Sequence, residues 1–209
     1  MIVATGLLLL AYLLGSLSGS LLLGRLRGVD IRRVGSGNAG GTNALRTQGA
    51  WFALGTVLID VGKGALAAWL GRHFLPAAMP QGWCYAIAFA AAVGHVWPVF
   101  HGFRGGKGAA TLVGGLAVLW PQVLLPALVA WLLSLVWTGY VGFATMMAGM
   151  AVFLAALVWR VDGARICYAL ASALFLVFTH RSNIARLRRG TEPCFERARL
   201  LGRLLDRTR

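Results

Sequence analysis

Four polar clusters interrupt an otherwise apolar chain of 209 residues. The first runs from Gly35-Ser36-Gly37-Asn38 through Gly40, Thr42 and Asn43 to Arg46. The second joins Gly94-His95 to Arg104-Gly105-Gly106-Lys107-Gly108 and Thr111. The third is Tyr140 to Thr145, and the fourth extends from His180-Arg181-Ser182-Asn183 through Arg186 and Gly190 to Glu192. Glycines let successive backbone amides turn toward an anion, hydroxyls and Asn add donors, and Arg or Lys supplies charge. That mixture suits phosphate. The second cluster also leads directly into an apolar helix, whose N-terminal dipole favours an anion.

Familiar phosphate motifs are excluded one by one. Gly35, Gly37 and Gly40 have the G-x-G-x-x-G spacing of a dinucleotide turn, but polar Asp30-Ile31-Arg32-Arg33 stands where a strand should precede it. The nucleotide P-loop pattern fails because His101 replaces its first Gly and Gly108 follows Lys107. Six acidic residues in the whole chain leave no Asp/Glu cluster for two-metal chemistry. No His is followed five positions later by Asp, so the H-x-x-x-x-D pattern of thioester-using glycerolipid acyltransferases is absent. Cys84, Cys167 and Cys194 lack metal-ligand spacing and read as free thiols. A reaction needing neither metal nor strong base fits best.

The elements that must carry these clusters are membrane helices. With 58% hydrophobic and 12% charged residues and a mean hydropathy of +0.73, the chain cannot cover a soluble globule. A spanning helix needs roughly 17 to 25 apolar residues, and the runs predict spans near 2–24, 51–71, 83–100, 109–120, 122–138, 140–159 and 165–179. The first run lacks a basic leader and an A-x-A site, and Arg25 and Arg27 follow it, so it reads as a retained span. Loop 25–50 holds five Arg, loop 101–108 holds Arg104 and Lys107, and the tail from 180 holds nine Arg, together sixteen of the twenty basic residues. Placing all three inside gives an all-α membrane protein of about seven helices, N-terminus periplasmic and C-terminus cytoplasmic, as one domain over 1–209. Segment 109–120 is short, and a five-span reading has the same parity.

This topology brings all four clusters to the cytoplasmic face. A net charge of +14 favours anionic headgroups and substrates; nucleic acid is not expected, because the basic residues sit at membrane boundaries. A single glycine cluster would read as close helix packing; two, interleaved with Ser, Asn, Arg and Lys, read as a site. His95 and His180 suit substrate hydrogen bonding or proton transfer, with a structural bond to a neighbouring carbonyl as the other reading. His73 reads as an outer-loop residue and His101 as an interfacial one. Asp60 and Lys63, at i and i+3, read as a structural ion pair, with a supporting role at the site left open.

Taken together, Gly35-Ser36-Gly37-Asn38-x-Gly40-x-Thr42-Asn43, Asp60-x-x-Lys63-Gly64, Gly94-His95-x-x-Pro98-Val99-Phe100, Gly105-Gly106-Lys107-Gly108-x-Ala110-Thr111 and His180-Arg181-x-Asn183-Ile184-x-Arg186-Leu187 with Gly190-x-Glu192 resemble the bacterial acyl-phosphate:glycerol-3-phosphate acyltransferases over nearly the whole chain. The resemblance implies an inner-membrane enzyme, without cofactor or metal, that makes lysophosphatidic acid from a fatty acyl phosphate and glycerol 3-phosphate. It further implies bilayer lipid and a soluble supplier of acyl phosphate as partners. Two departures stand out: Ala39 and Gly41 replace the family's usual Pro and Ala, and Gly142 and Thr145 replace two serines. The site expected is Ser36, Arg46 and Lys107 with glycine-loop amides on phosphate, and Asn38, Thr42, His95, His180 and Asn183 on the glycerol hydroxyls. Gly37, Gly40, Asn43, Gly105, Gly106, Thr111, Thr145 and Glu192 complete the substrate-binding set. The proton acceptor is either a substrate phosphate or His180. A transporter or flippase for a small anionic or phospholipid substrate is the competing reading; it predicts polar residues continuing to the outer face, where the loops offer little beyond Arg72, His73, Arg160, Asp162 and Arg165.

Overall fold

Inside a bilayer every backbone N–H and C=O must be satisfied within the chain, and an apolar sequence of this length achieves that as helices. The computed structural model describes residues 1–200 and, among them, contains helices and no strand. The tail arginines Arg203, Arg207 and Arg209 lie outside the described residues. The chain divides into two units, Met1–Pro121 and Gln122–Arg209.

The first unit contains α1 (Ile2–Gly15), α2 (Gly19–Leu26), α3 (Gly41–Gln48), α4 (Ala50–Phe74), α5 (Gly82–Val96) and α6 (Ala109–Leu119). The uncharged run 2–24 is not one straight span: α1 and α2 meet at a 45° bend. The Ser16 amide closes α1 on the Tyr12 and Leu13 carbonyls, Ser18 is extended, and the Gly19 amide opening α2 donates to Asp60 Oδ1 at 3.1 Å. A carboxylate at a helix N-terminus is favoured by unsatisfied amides and by the helix dipole. The break is therefore held from outside the helix by a charge that a hydropathy reading of residues 2–24 does not contain.

Reciprocal glycines bring these helices together. A β-carbon on Gly15 would overlap the Ala91 carbonyl, and one on Gly94 would overlap the Tyr12 carbonyl, so α1 and α5 touch backbone to backbone. Gly64 against the Thr111 carbonyl and Gly114 against the Val61 carbonyl do the same for α4 and α6. Without a hydrophobic driving force between helices in lipid, such close approach is what gives dispersion contacts their strength.

The second unit contains α7 (Leu124–Thr138), α8 (Val141–Val158), α9 (Gly163–Thr179) and α10 (Arg181–Arg188). Asp162 caps α9, accepting from the Arg165 amide at 3.1 Å. Polar α10 leaves the axis of α9 at 54°. The segment after it returns to the α7–α8 turn, where the Phe195 amide donates to the Gly139 carbonyl at 2.8 Å.

Among the described residues, four helices are long and apolar enough to cross a membrane by length and composition, and up to six if each bent pair is one span. At 1.5 Å per residue α6 reaches only roughly 16 Å, about half of a hydrocarbon core of about 30 Å.

Gly114→Val should separate α4 from α6 and destabilise the protein by more than the ~1–3 kcal/mol of an ordinary overpacked core, because the obstacle is a carbonyl that cannot rotate away. Gly6→Val, in a position with open space around it, should leave stability almost unchanged. Thermal unfolding in detergent, followed by tryptophan fluorescence, compares the two.

Candidate active site

The first glycine segment is built around two side chains. Asn43 is buried on α3; its Oδ1 accepts from the Ser36 amide at 2.9 Å and its Nδ2 donates to the Ile31 and Val34 carbonyls at 3.1 and 3.0 Å. Gly35, at φ +59°, lies so near Asn43 Oδ1 that a β-carbon would overlap it, and only glycine adopts that left-handed conformation without strain. Asn43 thus shapes the segment from within, while Ser36, Gly37 and Arg46 are exposed. Asn38, Gly40 and Thr42 are half-buried beside them.

Arg32 ties this segment to the second one. Its Nε and Nη2 donate to Asp30 Oδ1 and Oδ2, each at 2.9 Å, while Nη1 donates to the His101 carbonyl at 2.8 Å and the Arg104 carbonyl at 3.3 Å. The side-chain hydrogen bond from Arg32 holds the Asp30 carboxyl at about 2, against an ordinary 3.8. Because the folded value lies below the unfolded one, this contribution is complete above the ordinary value and is lost as pH falls through about 2.

In the second segment the amides of Gly105 and Gly106 donate to the Val96 and His95 carbonyls at the end of α5, both at 3.1 Å. The Gly37 amide likewise donates to Val34 and the Ser36 amide to Asn43. These four N–H groups are engaged within the chain, which corrects the expectation that they turn toward an anion. The glycines serve close approach instead. A β-carbon on Gly106 would overlap Nε2 of His95 and come within 2.7 Å of the Ala39 carbonyl, so both glycine segments and the His95 ring meet at this residue. Lys107 follows it, half-buried, ahead of Gly108 in the left-handed conformation that opens α6.

Beneath that junction lies a buried charged group. Lys63 Nζ is 2.9 Å from Asp60 Oδ1, 2.8 Å from His95 Nδ1 and 3.0 Å from the Leu17 carbonyl. His95 Nδ1 lies 3.3 Å from Asp60 Oδ1. Asp60 and Lys63 do pair, but His95 makes the pair a trio. Thr111 is fully buried on α6, and its hydroxyl has no partner among the described residues.

In the second unit His180 is buried, and its Nδ1 donates to the Leu176 carbonyl at 2.7 Å, because a carbonyl can only accept. In the neutral ring the lone pair is then on Nε2. Asn183 Nδ2 donates to Glu192 Oε1 at 2.6 Å, and Arg186 Nε donates to Glu192 Oε2 at 2.7 Å. Glu192 thus holds Asn183 and Arg186 in place. Gly142 packs on Asn183 closely enough that a β-carbon would lie 2.6 Å from its amide nitrogen. The Thr145 hydroxyl donates to the Val141 carbonyl at 2.8 Å and lies 3.4 Å from Trp131 Nε1.

The first unit therefore gathers Ser36, Asn43, His95, Gly105, Gly106 and Lys107 around the two glycine segments, and the second gathers His180, Asn183 and Glu192. Sequence reasoning missed Arg32; Asp30-x-Arg32 beside a glycine segment was its only signal. No group of three or more metal-ligating His, Cys, Asp or Glu is present among the described residues. Gly106→Ala would force a methyl group between the His95 ring and the Ala39 carbonyl. Misplacement of about 1 Å near a reacting centre costs on the order of 10²-fold in rate, so kcat/KM should fall by about that factor in protein that still folds, with thermal unfolding lowered because the Ala39 carbonyl cannot rotate away.

Comparison with known proteins identifies the family. The profile described as Glycerol-3-phosphate acyltransferase matches residues 5–190. A Glycerol-3-phosphate acyltransferase of Geotalea daltonii is 42% identical over 188 residues, covering 90% of this chain and 95% of the relative. One from Gloeobacter violaceus is 42% identical over 193 residues, covering 91% and 94%. Among solved structures, the glycerol 3-phosphate form of PlsY, an integral membrane glycerol 3-phosphate acyltransferase, superposes with a TM-score of 0.86 at 34% identity, covering 92% of this chain and 95% of that one. Its lysophosphatidic acid form gives 0.83 at 33% identity, covering 91% and 94%. With the fold and the sequence agreeing along nearly its whole length, this chain belongs to the glycerol-3-phosphate acyltransferase family of integral membrane proteins.

Proposed function

We propose that the protein transfers a fatty acyl group from acyl phosphate to the 1-hydroxyl of glycerol 3-phosphate, giving lysophosphatidic acid and inorganic phosphate. The observation that carries this reading is the meeting of two glycine segments at Gly106, with Ser36 and Arg46 exposed on one and Lys107 on the other. Ser36, Arg46 and Lys107 hold the substrate phosphates. Asn38, Thr42, His95, His180 and Asn183 orient the glycerol hydroxyls, and Asn43 and Glu192 fix the groups beside them. Gly37, Gly40, Gly105, Thr111 and Thr145 shape the walls.

The 1-hydroxyl oxygen attacks the acyl carbonyl carbon, the new ester C–O bond forms, and the acyl–phosphate bond breaks with its electron pair leaving on phosphate. A phosphate oxygen takes the hydroxyl proton. His180 is the rival acceptor, but its Nδ1 partner is a neutral carbonyl and not the carboxylate that steadies the imidazolium of a catalytic triad. Phosphate is a good leaving group, so orientation and charge stabilisation supply much of the rate.

In the membrane we propose seven crossings with the N-terminus periplasmic, the C-terminus cytoplasmic and the polar clusters inside, the whole of 1–209 acting as one acyltransferase domain of the bacterial inner membrane. The excess of Lys and Arg in loops 25–50 and 101–108 and in the tail supports that orientation. The acyl chain lies among the helices and leaves sideways into bilayer lipid, and a soluble enzyme supplies the acyl phosphate.

The test is transfer of label from glycerol 3-phosphate into lipid by purified protein offered palmitoyl phosphate, palmitoyl coenzyme A or palmitoyl carrier protein. Product from the acyl phosphate alone is expected; thioester use would overturn the donor assignment. Lys107→Ala should nearly abolish turnover without unfolding the protein, and a folded variant of near-normal activity would remove Lys107 from the site.

A further inference from the structure

Lys63 lies in the interior of α4, and its ammonium group meets three acceptors at 2.8 to 3.0 Å: His95 Nδ1, Asp60 Oδ1 and the Leu17 carbonyl. An ammonium group has three N–H donors and no lone pair. Nδ1 of His95 must then supply a lone pair, which puts the ring proton on Nε2. The competing arrangement, in which Nδ1–H donates to Asp60, is less well served. That separation is 3.3 Å, and the same Oδ1 already accepts from Lys63 and from the Gly19 amide.

Nε2 is at the far side of the ring, against Gly106 and near the Ala39 carbonyl, where the glycine segments meet one residue before Lys107. No described residue accepts a hydrogen bond from it. Nε2 is not sealed in the interior, so an oxygen of a ligand at this junction can accept from it. His180 has the opposite tautomer, with Nδ1–H on the Leu176 carbonyl and the lone pair on Nε2. Two histidines read alike from sequence are thus set by their Nδ1 partners to opposite tasks.

We propose that Lys63 is a positioning residue: with Asp60 it fixes His95 as an Nε2–H donor to an oxygen of bound glycerol 3-phosphate, and so bars His95 from accepting the proton. The identity of the ligand rests on the acyltransferase reading above, whereas the tautomer does not.

The test uses the full chain in lipid nanodiscs with ¹⁵N-labelled histidine, the His95 signals being assigned by their loss in His95→Gln. Two-bond ¹⁵N–¹H correlations should show the proton on Nε2 in the wild type, and glycerol 3-phosphate should shift the Nε2 signal. In Lys63→Met the proton should move to Nδ1, toward Asp60, and KM for glycerol 3-phosphate should rise by about tenfold, the usual scale of one lost hydrogen bond to a charged group. Lys63→Arg, which keeps a charged donor, should recover part of that loss. Asp60→Leu with Lys63→Met leaves no lone buried charge; it guards against misfolding and should show the same rise in KM. Wild-type His95 protonated on Nδ1 would overturn the proposal. So would a KM within about twofold of wild type in the folded double variant. If wild-type protein transfers no acyl group from acyl phosphate, the functional reading fails instead, and the NMR spectrum still decides the tautomer.

Discussion

An ammonium group, a carboxylate and an imidazole share one buried cluster between α4 and α5, and the first unit is arranged around their needs. Asp60 is 1% exposed and Lys63 6%. Breaking a buried ion pair by removing one partner costs about 3–5 kcal/mol, because the other charge is left uncompensated. Here the compensation is distributed: Asp60 accepts from Lys63 and from the first amide of α2, and Lys63 also donates to the Leu17 carbonyl just before that helix. The bend in the first apolar run is the geometric consequence. It presents backbone donors and acceptors to charges that the bilayer cannot solvate.

Close glycine packing makes this cluster reachable. Gly15 and Gly94 join α1 to α5, while Gly64 and Gly114 join α4 to α6, and each contact is with a carbonyl of the facing helix. Larger residues would hold the helices apart and move His95 from the segment it supports. The same economy of space continues upward, since Gly105 and Gly106 fold back on the end of α5 and Gly106 touches the His95 ring. Charge, helix packing and the glycine segments are therefore one continuous construction within residues 1–121.

The apolar runs predict the helices, because in lipid an apolar run has few alternatives, and the glycine clusters mark the two segments that meet at Gly106. The break at Ser16–Ser18 was not legible, since its cause is Asp60, forty-one positions from Gly19. Asp60 and Lys63 could be paired by helical spacing, but His95 lies thirty-two positions from Lys63, and only the fold brings it in. Arg32 was lost among twenty basic residues because its role depends on carbonyls of another segment. Glycine-rich segments often bind an anion, yet the amides of Gly105 and Gly106 meet carbonyls at the end of α5 that need donors.

The central claim is that the paired glycine segments of the first unit cradle the phosphate of glycerol 3-phosphate. Diffraction from crystals grown with its phosphorothioate analogue would locate that group through the anomalous signal of sulfur. The account predicts the phosphorothioate within hydrogen-bonding distance of Ser36, Arg46 and Lys107. An ordered analogue bound elsewhere, with those three side chains untouched, would contradict it.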